Sequence, residues 1–335
     1  MFTKQLELPK IFLVIFTAVF LAACSEGGSD EANGETASGD GETDYPTQSI
    51  EVMVPAGAGG DTDLNSRITA KYLEEELGET LVVTNVGGSG GTTGINEFLS
   101  KEADGHNVLT YHNAMLVNNI YGNSDIAYED FQYAGMGILD QSNTFLVSSE
   151  AEFDDLESFI AYAQENPGEV DVATEIGAMT HLQLLEFEQK ADVDLNIVDA
   201  GGASEKITAL LGGRVDVVPT SLGLVQDYLE SGDFESLGVI AEERLEGAPD
   251  IPTFEEQGVD MSIDKVFYRA FAEDTPQEVV DKFSEALENV VENEDFQEEI
   301  SNSWLTPTYL DSDETVEKLK EIDEQYREVY DNSDQ

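Results

Sequence analysis

Ile50-Glu51-Val52-Met53-Val54-Pro55-Ala56-Gly57-Ala58-Gly59-Gly60-Asp61-Thr62 runs from an apolar strand through a proline and a glycine-rich turn into a helical pattern that continues to about residue 77. The same unit follows at once. Residues 81–85 read as a strand, 86–91 as a second glycine-rich turn, 92–101 as a helix and 108–111 as the next strand. Further on, the spacing predicts strands at 145–148, 170–174, 195–198 and 215–218, alternating with helices at 156–165, 180–190 and 204–211. Two long helices, 276–292 and 314–330, end the chain. Strands alternating with helices predict the α/β class, with mostly parallel sheets covered on both faces. No short-period repeat points to a solenoid.

A strand feeding a glycine turn and then a helix gathers unpaired backbone N–H groups at the positive end of the helix dipole, which suits an anion. Glycine permits positive φ and a close approach of ligand to backbone. The turns at 57–60 and 87–91 have this form, and Ile176-Gly177-Ala178-Met179 ahead of Thr180 is a third candidate. Neither glycine-rich loop continues as Gly-Lys-Ser/Thr or fits G-x-G-x-x-G, so the nucleotide-binding versions are excluded. Gly87-Gly88-Ser89-Gly90-Gly91 does satisfy G-x-S-x-G, which keeps a secreted serine hydrolase using Ser89 as the rival reading. Its base would have to come from His106, His112 or His181, and neither His106, in an apparent turn, nor His181, at a helix start, looks like a late loop histidine preceded by its acid.

The 335 residues carry 71 Asp and Glu against 15 Lys and Arg, a formal charge of -56. No run of basic residues exists to neutralise several phosphates, so nucleic acid is excluded as a partner. Hydrophobic residues at 40% still suffice for a core. The acidity reads as a solvated, halophilic surface suited to a saline or alkaline exterior, with a cation-buffering role as the weakest alternative.

At the N-terminus, Lys4 and Lys10 precede an apolar run over 11–23 that ends in Leu21-Ala22-Ala23-Cys24. This is the form of a signal peptide, and the run is too short for a permanent span of roughly 20 residues. The residues before Cys24 resemble the lipobox of bacterial lipoproteins. Residues 1–23 are thus expected to be removed, Cys24 to carry lipid, and 24–44 to be a flexible acidic tether reaching about 25 Å. That places the protein outside the cytoplasm, anchored to the cell membrane. Cys24 is the only cysteine, which excludes internal disulfides and cysteine-based metal clusters. The reading calls for no metal, no cofactor and no catalytic residue.

Val54-Pro55-Ala56-Gly57-Ala58-Gly59-Gly60-Asp61-Thr62-Asp63, with Arg67 a turn later, resembles the opening of the solute-binding proteins of tripartite tricarboxylate transporters. Agreement continues in order through Thr84-Asn85, Gly90-Gly91-Thr92-Thr93-Gly94, Ala103-Asp104-Gly105, Asp130-Phe131, Glu165-Asn166-Pro167-Gly168, Thr180-His181-Leu182, Leu210-Leu211-Gly212-Gly213-Arg214-Val215-Asp216 and Ile251-Pro252-Thr253-Phe254. The resemblance implies a two-lobed periplasmic-binding-protein fold, type II-like, with 45–133 plus 269–335 as one lobe and 134–268 as the other. It implies a monomer that closes on a small organic anion, a di- or tricarboxylate or related acid, and delivers it to membrane transporter subunits. Carried over, Ala58, Gly59, Gly60 and Thr62 would bind one carboxylate with Gly90, Gly91 and Thr92. From the other lobe Ala178, Met179 and Thr180 would face them, with Gly201, Gly202 and Ser204 as a fourth contact. Two departures bear on the ligand: Val198-Asp199-Ala200 replaces a common Pro-Tyr-Lys, and Arg269 stands where glycine is usual. Arg269 either enters the cleft to pair with a second carboxylate or forms a salt bridge at the hinge.

Overall fold

A computed structural model describes residues 44–333. The segments read as signal peptide and lipidated Cys24 lie outside the described residues, as does all of the tether but Asp44. No helix among the described residues is long and apolar enough to cross a membrane.

The opening unit forms as its sequence predicts. Strand β1 (Ile50–Val54) leads into helix α1 (Asp61–Leu77), which ends at Gly78 in the left-handed conformation. Strand β2 (Leu81–Asn85) pairs parallel with β1 in the register Ile50 to Leu81, and after α2 (Thr92–Leu99) strand β3 (Asn107–His112) pairs parallel on the other side. A buried helix, α3 (Ala114–Ile120), precedes the long strand β4 (Phe131–Asp140). The second sheet begins at once with β5 (Asn143–Ser148). It continues through α4 (Leu156–Glu165), β6 (Asp171–Thr174), α5 (Met179–Ala191), β7 (Asn196–Asp199), α6 (Ala203–Leu211), β8 (Val217–Ser221), α7 (Gln226–Ser231) and β9 (Phe234–Val239). Strand β10 (Lys265–Ala272) returns to the first sheet, followed by α8 (Gln277–Glu292), α9 (Glu294–Ser301), β11 (Thr306–Leu310) and α10 (Ser312–Asn332).

The first sheet has the order β11-β4-β10-β3-β1-β2 and the second β7-β6-β8-β5-β9. Both are mixed, where the sequence predicts mostly parallel sheets. The reason is the path between them: β4 leaves the first sheet and β10 re-enters it as antiparallel neighbours, paired from Lys265 with Asp140 to Ala272 with Phe131. At the crossing, Gln141 donates to Asp264 at 2.8 Å, clasping the two segments, while Ser142 Oγ donates to Asp140 at 2.6 Å within the first of them. The lobe limits read from the sequence fall within β4 and within β10.

Helix α8 shows why the helices pack. Val279, Val280, Phe283, Ala286, Leu287, Val290 and Val291 recur at helical spacing and are all buried. Helix α10 starts with a reciprocal cap between Asp311 and Glu314 and packs on β4, α3 and α5, so it touches elements belonging to both sheets. One of the apolar clusters runs from Met53 and Leu109 through Tyr268 to Phe145 and Phe187, and so joins the two sheets.

Candidate ligand cleft

Between the two sheets lies a cavity of about 350 Å³, bounded by the carboxyl ends of their parallel strands. Open α/β sheets place their ligands there because the strand-to-helix turns present backbone donors at that edge. The β1–α1 turn, the β2–α2 turn and the end of β3 form one wall. The turns after β6 and β7, with the end of β8, form the other.

Of the residues expected to hold a ligand, Ala58, Gly60, Thr62, Gly90, Gly91, Ala178, Met179, Thr180, Gly201, Gly202 and Ser204 line this cavity. Gly59, Thr92 and Arg269 do not. Gly59 N–H donates to the Asp63 carboxylate at 2.9 Å, so its donor is turned back onto α1. Thr92 opens α2 with its hydroxyl buried and unpartnered. Arg269 neither enters the cleft nor makes a salt bridge among the described residues: it is 1% exposed on β10, against Ser66 and Ala70 of α1 and Phe283 of α8. Its Nη1 reaches the Phe267 carbonyl at 3.4 Å, Nη2 has no partner, and burial pulls the guanidinium down to about 10. A buried charge without a counter-ion opposes folding. Arg269→Met should therefore raise the melting temperature, by about 2 °C for each kcal/mol recovered in a chain of this length. A calorimetric scan showing a lower value would refute that account.

Three of the turn donors meet acids of the chain itself. Besides Gly59 with Asp63, the Thr62 N–H donates to Asp61 at 2.7 Å and the Gly90 N–H to Glu175 at 3.2 Å, the latter reaching across the cleft from the turn after β6. Gly91 has a different task. At φ +94° it lies under the Tyr111 ring, whose hydroxyl donates to the Gly90 carbonyl at 2.6 Å.

Two cations that the sequence reading passed over line the same cavity. Lys265, at the start of β10, is 6% exposed and ion-paired with Asp61. Burial raises the Asp61 carboxyl, but the Lys265 ammonium, with help from His112 and the Thr62 N–H, outweighs it and holds the carboxyl well below the usual range. His112 is pushed far below its ordinary value by burial and then by Lys265, so its ring is neutral at pH 7, with Nδ1 accepting from Ala114 N–H at 3.2 Å. Lys206, on α6, is 4% exposed and donates to the Pro219 carbonyl at 2.7 Å and to Thr180 Oγ1 at 3.3 Å. Lysines on a helix and at a strand end read as surface residues in a sequence; only the sheet topology brings these two together.

The remaining candidates have local duties. Arg67 bonds Asp63 at 2.9 Å and Asn85 at 3.0 Å, tying α1 to β2. His181 is buried and stacks on Tyr121. Ser89 is exposed in a short turn at φ +51° and is absent from the cavity lining. No group of three or more His, Cys, Asp or Glu among the described residues is placed to hold a metal.

Comparison with known proteins identifies the family and the fold. Residues 66–331 match the family described as "Tripartite tricarboxylate transporter family receptor". Protein BugT of Bordetella pertussis is 25% identical over 277 residues, covering 81% of this chain and 85% of its own. The structure of the periplasmic binding protein BugD superposes with a TM-score of 0.80 at 25% identity, covering 86% of this chain and 98% of that one. MatC from Rhodopseudomonas palustris, solved with bound malate, superposes at 0.79 with 21% identity, covering 85% and 99%. With a match that spans most of the folded region and a two-sheet fold shared with these binding proteins, the chain belongs to the tripartite tricarboxylate transporter family of receptors.

Proposed function

We propose that this protein captures a small organic carboxylate outside the cytoplasm and hands it to membrane transporter subunits, working as a monomer held at the membrane by lipid on Cys24. The observation that carries the reading is the cavity between two sheets into which strand-to-helix turns of both converge. Family membership supports capture, and the malate in MatC supports a carboxylate as cargo. Ala58, Gly60, Gly90, Gly91, Ala178, Thr180, Gly201, Gly202 and Ser204 are the contacts this reading assigns to the ligand. Residues 45–133 with 269–335 and residues 134–268 act as the two closing lobes, and closure follows from a ligand that touches both. A receptor does no chemistry, and an exposed Ser89 outside the cleft gives the hydrolase reading no support.

The excess of acid is a statement about surroundings. At about 1 M salt the Debye length is about 3 Å, so surface repulsion stops short of the cleft. Titration calorimetry of the ligand-stripped protein with malate, adipate, benzoate, glutamate and citrate, at 0.1 and 1 M NaCl, tests both parts. At least one acid is expected to bind with a Kd near or below about 1 μM, corresponding to about 8 kcal/mol, and to hold or gain affinity in high salt. No heat from any of them would overturn the carboxylate reading, and a steep loss of affinity in high salt would overturn the reading of the acidic surface as suited to saline surroundings.

A further inference from the structure

Three of the backbone donors expected to recognise an anion are already taken by acids of the chain: Asp63 takes Gly59 N–H, Asp61 takes Thr62 N–H and Glu175 takes Gly90 N–H. Of the two cavity cations, Lys265 is neutralised by Asp61. That leaves Lys206. Its ammonium is buried, its two hydrogen-bond partners are an uncharged carbonyl and an uncharged hydroxyl, and no carboxylate among the described residues stands within ion-pair distance. An ammonium has three donors, so one remains for a ligand.

We propose that Lys206 is the residue that pairs with the ligand carboxylate and sets the cleft's preference for anions. The inference rests on the carboxylate reading above and deepens it. Thr180 on α5 and Pro219 on β8 hold the ammonium at the second sheet's edge of the cavity, so that sheet supplies the charge while the first supplies glycine turns that fit round the acid. A buried charge that opposes folding in the empty protein is neutralised when the acid arrives, which makes part of the binding energy available only to an anion.

The surroundings of Lys206 give this a pH signature. Burial and Lys265 on β10 lower it to about 8, while Asp61 on α1 and Glu175 from the turn after β6 oppose the shift. Glu205 is its neighbour on α6. An acid that pairs with Lys206 raises its pKa, so binding above that pH must take up a proton, and affinity falls about tenfold per pH unit because only the protonated form binds.

The test is calorimetry with the tightest-binding acid of the series above. Lys206→Met at pH 7 should weaken binding at least about 30-fold, leave the melting temperature of the empty protein unchanged or higher, and abolish proton uptake at pH 9, measured in buffers of different ionisation enthalpy. Lys206→Arg, which keeps its charge to higher pH, should bind with a flat profile to pH 10. If Lys206→Met does not fold, proton uptake by the wild type at pH 9 decides alone. A Lys206→Met protein that binds within threefold of wild type, or a wild type that binds without proton uptake at pH 9, overturns this inference and leaves the carboxylate reading standing. A wild type that binds none of the acids overturns both.

Discussion

Gly94→Ala should lower the melting temperature by about 6 °C and abolish ligand binding, although Gly94 itself does not line the cavity. A Cβ on Gly94 would run into the Val86 carbonyl and come within 2.9 Å of Pro55 Cα. Those neighbours are backbone on two sides: Val86 belongs to the turn after β2 and Pro55 to the turn after β1. Neither can rotate out of the way as a side-chain tip would, so the added methyl must push the two ligand turns apart. Overpacking of this kind costs about 3 kcal/mol at its upper end, and its cost falls on the geometry that both turns share. Gly57→Ala is the control. Within the same turn a Cβ there meets nothing inside 4 Å, so its melting temperature should stay within about 1 °C of wild type. Equal effects of the two substitutions in thermal unfolding would refute the argument.

Asp61→Asn should cost about 3 kcal/mol, because it strands the Lys265 ammonium in a nearly closed site. Asp140 offers little relief. Burial raises its carboxyl, which Lys265 and the bonds from Ser142 only partly offset. The pH dependence has a definite sign. Asp61 titrates lower in the folded protein than in the unfolded chain, so its contribution is present above the unfolded value of about 4 and is lost as pH falls through the depressed folded value. The gap in melting temperature between wild type and Asp61→Asn should therefore be constant from neutral pH down to about 5 and narrow in stronger acid. A gap that instead widens below pH 4 would rule out the ion pair as its source.

What could be seen in the sequence follows from periodicity. Helix α4 falls at Leu156–Glu165 as the apolar spacing predicts, and the strands of the alternating units lie within two or three residues of their expected positions. Strand β10 gave no such signal. Its residues Val266 to Phe271 are buried on both faces, so polar residues do not alternate with apolar ones. In β4, Gly135 and Gly137 break the pattern where β11 and α8 come close. Helix α3 is too short and too uniformly buried to show a polar face. In the cleft the glycine turns were visible because backbone donors at a helix start depend on local sequence alone. The charges were not, since pairing Asp61 with Lys265 spans 204 residues and depends on β10 lying beside β3. Asp63 turning onto Gly59 was the exception, legible in principle from a spacing of four.

The clasped exit of β4 and entry of β10 makes the second sheet, in genetic terms, an insertion. The chain enters and leaves it between hydrogen-bonded neighbours, Asp140 and Lys265. Residues 141–264 thus form a cassette with two splice points beside each other and the turns at 55–60 and 87–91 outside it, exchangeable for the matching stretch of a relative where the packing of α10 on α5 is kept. Receptors assembled this way would inherit the cassette's half of the cleft, including whatever stands in place of Lys206, and would allow cargo preference to be re-sorted among family members by recombination.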